Sequence, residues 1–395
     1  MSKKTVLHLR SETKLYEHRS CLTPSTTKAL IDSGRFEVHV ERSPSNPDLK
    51  RIFDDEEFEK VGAKLVENNS WPKAPKDHII IGLKELDPES WPLIHTHVQF
   101  SHCYKGQAGW QEVLSRFPRG GGTLLDLEFL EVNKRRVAAF GFHAGYAGSA
   151  LALKAYVHQL EHNGELLPSV ATFTDGRGYY EDEGQMLSQL RSELKRATEI
   201  KGRPPTVFVM GALGRCGRGA VSLFEKAGLP TENIIKWDIQ ETSQKQGPYQ
   251  EIVDSDIFVN CIYLSQPIPP FINKEILSQP SRKLSVICDV SCDTTNPHNP
   301  IPVYTVNTVF TAPTVPVELP NNEGSPLSVI SIDHLPSLLP RESSEAFSND
   351  LLPYLLQLDN WQSSDAPVWQ GANELFKAKV ATLPENMRQL EVTEA

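Results

Sequence analysis

A glycine turn near the middle of the chain constrains the fold more than any other feature. An apolar run, Val207–Met210, enters a turn that contains Gly211, Gly214 and Gly217, and a helix-like segment follows. A second apolar run then ends in Asp238. This is the order of a dinucleotide-binding βαβ unit, in which glycines let the backbone approach a pyrophosphate and the helix N-terminus presents free N–H groups to it.

Asp238 is placed to accept a hydrogen bond from a ribose 2′-hydroxyl. This favours NAD as the cofactor over NADP, whose 2′-phosphate would meet a like charge. The spacing Gly-x-x-Gly-x-x-Gly differs from the commoner Gly-x-Gly-x-x-Gly, so a glycine turn in some other α/β unit is the alternative interpretation.

The length and charge of the chain exclude several classes of protein. Its 395 residues exceed one ordinary core and predict two domains. With 40 Lys and Arg against 50 Asp and Glu, bulk charge argues against nucleic acid or an anionic membrane as a partner. We recognise no apolar run of the roughly 18–20 residues that span a bilayer, no leader and no peroxisomal address, so we expect a cytoplasmic location. The 6 cysteines lack paired Cys-x-x-Cys spacing, which argues against a zinc site or a secreted disulfide framework.

Apolar runs on both sides of the glycine turn predict parallel sheets that helices cover on both faces. A helix begins at Thr23-Pro24, where threonine caps and proline takes the first helical position. The predicted strands of the first domain are Thr5–Leu9, Phe36–Val40, Ile79–Leu83 and His97–Phe100. Three strands complete the second sheet: Asp256–Asn260, Leu284–Val290 and Val303–Val306.

The predicted fold class is α/β, with two Rossmann-like domains whose parallel sheets flank a central cleft. A long apolar helix, Tyr146–His162, links them, and the proline-, asparagine- and glycine-rich stretch 313–326 is typical of a crossover loop. Two amphipathic segments, Ser344–Leu358 and Gln370–Ala381, are expected to return to the first domain. The expected boundaries are 1–140 plus 327–395 for the substrate domain and 141–326 for the NAD-binding domain.

Two side chains suited to proton transfer follow predicted strands of the first domain. Lys84 and His102 each lie where a strand ends, and ligands of open parallel sheets gather at the carboxyl ends of the strands. A lysine acts as a base only when its pKa falls from about 10.4 towards 7–8, which a dry cleft beside other cations achieves. The alternatives are a surface lysine and a satisfied core histidine.

A metal cluster is the other interpretation of the nearby histidines. His95 and His97 would share one face of a strand and precede His102 and Cys103. Because no fourth ligand is spaced convincingly, we expect no metal there.

Basic residues recur at the predicted cleft although the chain as a whole is acidic. A substrate with several carboxylates would explain them, since each charge-assisted contact contributes about 1.5–3 kcal/mol. Solvated strand-end charges remain the alternative for any one of them. The residues are Lys14, Arg19, Lys84, His102, Lys105, Arg135 and Arg136.

The chain resembles the fungal saccharopine dehydrogenases, which are NAD-dependent and lysine-forming, from near the N-terminus to about Ala381. The resemblance implies the alanine dehydrogenase type of two-domain fold, a monomer, and the last step of lysine biosynthesis by the aminoadipate route. Saccharopine, NAD and water would give lysine, 2-oxoglutarate and NADH. The segments that carry it are Leu7–Lys14, Ile80–Glu85, Phe100–Lys105, Gly211–Gly217 and Ser331–Pro340.

The resemblance also implies the roles of individual residues. Lys84 and His102 correspond to the acid–base pair, and Glu85 and Glu128 to acidic neighbours that temper the positive charge. Saccharopine contacts correspond to Arg19, Gln107, Arg136, Phe140, Ser291, Cys292 and Asp293. NAD contacts correspond to Arg135, Gly214, Arg215, Asp238, Thr242, Tyr263, Val290, Ile332, Asp333, His334 and Leu335.

We expect Lys84 to take a proton from the secondary amine of saccharopine before hydride loss, and His102 to activate water for hydrolysis of the imine. Three rivals stay open: an alanine-type dehydrogenase of the same fold, an NADP-dependent reductase, and an NAD-sensing protein without catalysis. The charge of Asp238 opposes the reductase, the many basic groups oppose a substrate with one carboxylate, and the presence of Lys84 and His102 opposes the sensor.

Cys216 and Cys261 form a candidate disulfide, since the family pattern has cysteine at both positions. If Asp256–Asn260 is the fourth strand of a doubly wound sheet, it neighbours the first and brings the two residues together. We expect free thiols at rest and a bond only on oxidation. Two inert buried thiols are the alternative.

Overall fold

The computed structural model describes residues 3–292, 294, 297–320 and 326–391. The chain divides into two compact units, each built around a six-stranded sheet. Unit 1 comprises Met1–Ala139 and Ser343–Ala395, and unit 2 comprises Phe140–Glu342.

The sheet of unit 1 is parallel throughout, because its strands are short apolar runs that helices and loops cover on both faces. The strands are β1 (Thr5–Leu9), β2 (Phe36–Glu41), β3 (Lys64–Val66), β4 (Ile79–Ile81), β5 (Thr96–Gln99) and β6 (Thr123–Asp126). Their order across the sheet is β3-β2-β1-β4-β5-β6, the doubly wound order. The carboxyl ends of β4 and β5 therefore lie side by side.

Three helices and one hairpin complete the first segment of unit 1. At the start of the first helix, the Thr23 side chain accepts from the Thr26 backbone N–H in a capping box. The helices are α1 (Pro24–Asp32), α2 (Asp55–Lys60) and α3 (Trp110–Gly120), and the hairpin strands are β7 (Glu131–Val132) and β8 (Arg135–Arg136).

Unit 2 has a mostly parallel sheet in the order β10-β9-β11-β12-β14-β13, in which only β13 runs antiparallel. The strands are β9 (Val207–Met210), β10 (Ile234–Trp237), β11 (Ile257–Asn260), β12 (Val286–Asp289), β13 (Val315–Pro316) and β14 (Ser328–Ile330). The helices are α4 (Gly141–Glu161), α5 (Glu183–Lys201), α6 (Arg215–Ala227), α7 (Ile239–Thr242), α8 (Gln250–Val253) and α9 (Lys274–Leu277).

Helices α4 and α6 approach each other closely because glycines line their contact. A Cβ on Gly145 would overlap the carbonyl oxygen of Cys216, and a Cβ on Gly219 would overlap that of Phe142. Only glycine fits at either position.

The last two helices are α10 (Pro340–Leu355) and α11 (Pro367–Ala381), and unit 1 contains the chain from Ser343 onwards. Trp369 of α11 is fully buried, and its indole N–H donates to the carbonyl of Tyr354 at 2.7 Å. Phe376 packs edge-on against Phe117 of α3, with ring centroids 6.1 Å apart. The C-terminal segment thereby completes the core of unit 1.

The predicted α/β class with two parallel-sheet domains is confirmed, and several details differ. The long helix begins at Gly141 where Tyr146 was expected, and β13 lies within the predicted crossover loop. Val303–Val306 forms no strand, because Ile301 and Val303 pack into the core from a proline-containing turn. Ser328–Ile330 pairs with β12 in its place, so residues 327–342 lie in unit 2. The boundary between the two units therefore follows Glu342, whereas the sequence predicts that unit 1 resumes at residue 327. Within the described part of the chain, no helix has the length and apolar character needed to cross a membrane.

Candidate functional site

The loop after β4 holds Lys84 in a fixed backbone position. The Glu12 carboxylate accepts the N–H groups of Leu83 at 2.6 Å and Lys84 at 3.0 Å. The guanidinium of Arg10 donates to the Lys84 carbonyl and lies against Gly82, where a Cβ would overlap it. Neither Arg10 nor Glu12 is predicted to be functional from the sequence, although both lie in the segment Leu7–Lys14 that carries the resemblance.

Lys84 faces a buried ion pair of Glu17 with Arg19, in which Arg19 is predicted from the sequence and Glu17 is not. Its Nζ lies 4.0 Å from Oε2 of Glu17, and Glu17 binds Arg19 through two hydrogen bonds of 2.8 and 2.7 Å. Burial, together with the nearby charges of Arg19 and Lys14, lowers the pKa of Lys84, while Glu17 opposes this shift. The arrangement can hold a lysine that gives up its proton more readily than usual.

His102 follows β5 and is held by Glu85. Its Nδ1 lies 3.2 Å from Oε2 of Glu85, whose Oε1 lies 3.4 Å from Nζ of Lys14. The hydrogen bond from His102 holds the pKa of Glu85 well below its usual range against the opposing effect of burial. With Nδ1 donating to an ionised carboxylate, Nε2 of His102 carries the lone pair and can accept a proton.

A buried carboxyl group lies beneath the His102 loop. Asp126, at the end of β6, is 1% exposed and accepts the N–H groups of Ser101 at 3.3 Å and Glu128 at 2.9 Å. Burial raises the pKa of Asp126 to about 6. No sequence motif identifies Asp126, because folding brings Ser101 to it from the end of a different strand.

Glu128 forms ion pairs with two of the basic residues that were predicted from the sequence to lie at the cleft. Its Oε1 lies 2.7 Å from Nζ of Lys105 and 3.0 Å from Nη2 of Arg136. Gln107 accepts the backbone N–H of Lys105 at 2.8 Å, and Arg135 precedes Arg136 in the exposed hairpin strand β8. Because one carboxylate faces both Lys105 and Arg136, the cluster keeps a net positive charge.

The glycine turn of unit 2 has the geometry of a phosphate cradle. Gly211 has φ +80°, and a Cβ on Gly217 would overlap the Gly211 carbonyl oxygen. Gly214 is the N-cap of α6 without a side-chain cap, and Arg215 is its first residue. The N-terminus of a helix that follows such a turn can bind an anionic group.

Asp238 lies at the carboxyl end of β10, beside the glycine turn. Its Oδ2 accepts the N–H of Leu213 and its Oδ1 that of Ile239, both at 2.9 Å. Thr242 donates its hydroxyl to the Asp238 carbonyl at 3.1 Å, one turn into α7. The N–H of Glu241 also bonds this carboxylate in a capping box, so one lone pair remains for a hydroxyl ligand.

Large apolar side chains stand exposed around Asp238. Leu213 is 74% exposed, Ile239 76% and Tyr263 62%, and they follow the neighbouring strands β9, β10 and β11. Of these three residues, only Tyr263 is predicted from the sequence to contact NAD, and Leu213 and Ile239 are not. Such a patch can flank a planar ring.

The remaining NAD-contact candidates follow β12 and β14. The side chains of Val290 and Leu335 both pack against α4 at Gly148, where an added Cβ would lie 3.3 Å from the first and 3.1 Å from the second. The side chains of Ile332 and Leu335 are buried in the core, whereas those of Asp333 and His334 are partly exposed and bond each other at 2.7 Å.

The remaining substrate-contact candidates are placed in unit 2. Phe140 caps α4, Ser291 donates its N–H to Asp289 at 3.2 Å, and Cys292 is buried with φ +33°. Asp293 lies outside the described residues.

The candidate disulfide is not formed, and Cys216 and Cys261 are both free thiols. Their strands β9 and β11 are neighbours as expected, although β11 is the third strand of the sheet and not the fourth. Burial raises the pKa of both thiols, which disfavours the thiolate that disulfide formation needs. A bond on oxidation stays a prediction.

Both a family model and a solved structure are similar to this chain. Residues 8–147 match the family model "Alanine dehydrogenase/PNT, N-terminal domain". A transhydrogenase from Sinorhizobium meliloti has a similar structure, with a TM-score of 0.51 and 14% identity over 89% of this chain and 94% of that one. At that identity the likeness concerns the fold alone.

Curated relatives are far more similar in sequence. A protein of Neurospora crassa named saccharopine dehydrogenase [NAD(+), L-lysine-forming] is 60% identical over 386 residues, which cover 98% of this chain and 99% of the relative. A protein of the same name from Yarrowia lipolytica is 59% identical over 381 residues, which cover 96% and 98%.

Proposed function

The chain belongs to the fungal saccharopine dehydrogenase family, and from this premise we propose that it interconverts saccharopine, NAD⁺ and water with L-lysine, 2-oxoglutarate and NADH. The forward direction would be the final step of lysine biosynthesis by the aminoadipate route. The observation that carries the proposal is the pair Lys84 and His102 at the ends of adjacent strands, each tied to its own carboxylate.

Lys84 acts as the base towards the secondary amine of saccharopine. A protonated amine has no lone pair to drive hydride loss, so its proton must leave first. A lysine whose pKa is lowered by burial and by Arg19 can be neutral when the substrate binds, and the nearby Glu17 then stabilises the ammonium that forms.

His102 acts in the hydrolysis of the imine that follows. Its Nε2 accepts a proton from the attacking water, and Glu85 stabilises the resulting imidazolium through Nδ1. The imidazolium then returns a proton as the carbinolamine collapses to lysine and 2-oxoglutarate. A positioned acid–base group of this kind supplies about 10²–10⁴-fold in rate.

Unit 2 holds the residues that would bind NAD. The turn requires glycine at 211 and 217, the N-terminus of α6 can bind the pyrophosphate, and Asp238 keeps one lone pair for a ribose hydroxyl. Leu213 and Ile239 would flank the adenine ring. When bound, NAD⁺ supplies the nicotinamide that takes up the hydride.

Basic side chains would bind the carboxylates of saccharopine. Lys14, Arg19, Lys105 and Arg136 already have carboxylate partners in Glu85, Glu17 and Glu128. A substrate carboxylate would therefore share these cations with the protein's own acidic groups, which keeps the affinity for lysine and 2-oxoglutarate moderate enough for their release. We further propose that the enzyme is monomeric and cytoplasmic.

The test is NADH formation on mixing the purified protein with NAD⁺ and saccharopine, followed by absorbance. We expect activity with saccharopine and none with alanine as the control substrate. Activity with alanine, or reduction of NADP⁺ to NADPH in preference to reduction of NAD⁺, would identify a different dehydrogenase. NAD⁺ binding without turnover of any of these substrates would indicate a sensor.

A further inference from the structure

Three histidines from separate parts of the chain meet on one face of the sheet in unit 1. His8 of β1 and His39 of β2 are register partners, and His78 precedes by two residues Ile80, the partner of His8 in β4. Residues two apart on a strand share a face, so all three imidazoles lie on the same side of the sheet. Their ring centroids are 5.2–6.1 Å apart.

The ring nitrogens of these histidines are close and incompletely satisfied. One nitrogen from each ring lies within 4.8 Å of one from each of the others. His8 is 3% exposed and His78 8% exposed, and the Nδ1 of each is buried without a hydrogen-bond partner. Since buried polar atoms are almost always paired, these nitrogens point to a ligand that accepts their lone pairs.

Two of the three imidazole rings form a hydrogen bond to a carboxylate through Nε2. Nε2 of His8 lies 3.1 Å from Oε1 of Glu41, and Nε2 of His39 lies 2.6 Å from Oε1 of Glu37. Glu41 is itself fixed by the backbone N–H groups of Ser11 and Trp71. Metal-bound histidines commonly donate their second N–H to a carboxylate in this way, which directs the other nitrogen to the ion.

We propose that His8, His39 and His78 bind a late first-row divalent transition metal ion, with Zn²⁺ as the reference case. Three neutral imidazoles suit such an ion and leave its fourth position for water. With Zn–N bonds of about 2.0–2.1 Å, tetrahedral ligand nitrogens lie about 3.3 Å apart, so small ring rotations would close the site. The ion would tie β1, β2 and the start of β4 together.

The test uses the full-length protein, freed of metal with a chelator. Co²⁺ titration should give the visible absorption of a tetrahedral nitrogen-ligated ion, and Zn²⁺ should displace it with one ion per chain. His39→Gln should abolish the cobalt spectrum and weaken Zn²⁺ binding at least tenfold. Glu37→Gln should weaken it by about 10-fold or more, through the lost support of His39.

A matched control removes a different histidine. His158 and His162 of unit 2 stack with ring centroids 4.1 Å apart and form a separate histidine pair that could attract an ion. His162→Gln should leave the cobalt spectrum and the Zn²⁺ affinity unchanged. If circular dichroism shows that His39→Gln is misfolded, the metal affinity of Glu37→Gln tests the proposal instead. This variant should fold, because the Glu37 side chain is half exposed. Absence of stoichiometric binding, or loss of binding in His162→Gln alone, would overturn the proposal.

Discussion

Glu17 controls how readily Lys84 gives up its proton. Of the two carboxylates that oppose the lowering of the Lys84 pKa by burial and by Arg19, Glu17 has the larger effect and Glu85 the smaller. The balance between these charges sets the pH at which the lysine becomes a base.

We expect Glu17→Gln to move the acidic limb of the pH profile of kcat/KM to lower pH. The amide removes the charge that favours protonated Lys84, so the lysine becomes neutral at lower pH. Glu59→Gln, an exposed change on α2, is the control and should leave the profile in place. A limb that stays fixed or moves to higher pH would show that Lys84 is not the titrating base.

Lys84 and His102 should differ in the step they affect. Lys84→Met should slow the hydride step and His102→Gln the hydrolysis of the imine, each by about 10²–10⁴-fold. The deuterium isotope effect with labelled saccharopine should then persist or grow for the first variant and shrink for the second. The reverse result would exchange the two roles.

Asp238→Ala should weaken NAD more than NADP. The variant loses a charge-assisted hydrogen bond to the ribose, which is worth about tenfold or more in Kd, and it also relieves the repulsion of a 2′-phosphate. Because Asp238 also caps α7, Asp238→Asn serves as a second variant that can keep the cap. Equal losses for both cofactors would show that the carboxylate does not contact the ribose.

Sequence reasoning could name residues that follow a strand or a glycine turn, and could not name those whose partners are distant. Lys84, His102 and Asp238 lie where apolar runs end, and that position alone is informative. Glu17 and Asp126 become significant only when folding brings Lys84 and Ser101 to them. The three histidines of unit 1 are invisible for the same reason.

At the scale of elements, the contact between α4 and α6 depends on the absence of side chains. We expect Gly145→Ala to destabilise the protein by about 2–3 kcal/mol, because its Cβ would overlap the backbone of Cys216 and the helices must separate. Calorimetry should show a lower unfolding temperature.

Gly371→Ala is the control for the same chemical change. Nothing lies within 4 Å of a Cβ at Gly371 on the exposed face of α11, so alanine should stabilise by about 0.5–1 kcal/mol through better helix propensity. Similar unfolding temperatures for the two variants would refute the close-packing argument.

The long apolar elements were predictable and the short ones were not. Thr5–Leu9 was identified with its exact bounds, and the helix from Thr23-Pro24 was placed by its cap. The three-residue strands β3 and β14 carry too little pattern, and Val303 is buried without belonging to a strand. A buried turn and a buried strand can contain the same run of apolar residues, so the sequence alone does not distinguish them.

At the scale of the whole molecule, the acidic surface favours a single chain in solution. The formal net charge is −10 at pH 7, which opposes self-association of like surfaces. Light scattering during size-exclusion chromatography should give a mass near 44.2 kDa at physiological salt. A mass near twice that value would contradict the proposed monomer.

Unit 1 is assembled from two segments that unit 2 separates in the chain. A ribosome makes the N-terminal segment of unit 1 first, yet Trp369 and Phe376, which complete its core, are translated only after the whole of unit 2. Unit 2 can therefore finish folding before unit 1. Until the second segment arrives, part of the core of unit 1 is exposed, and such intermediates are prone to aggregation.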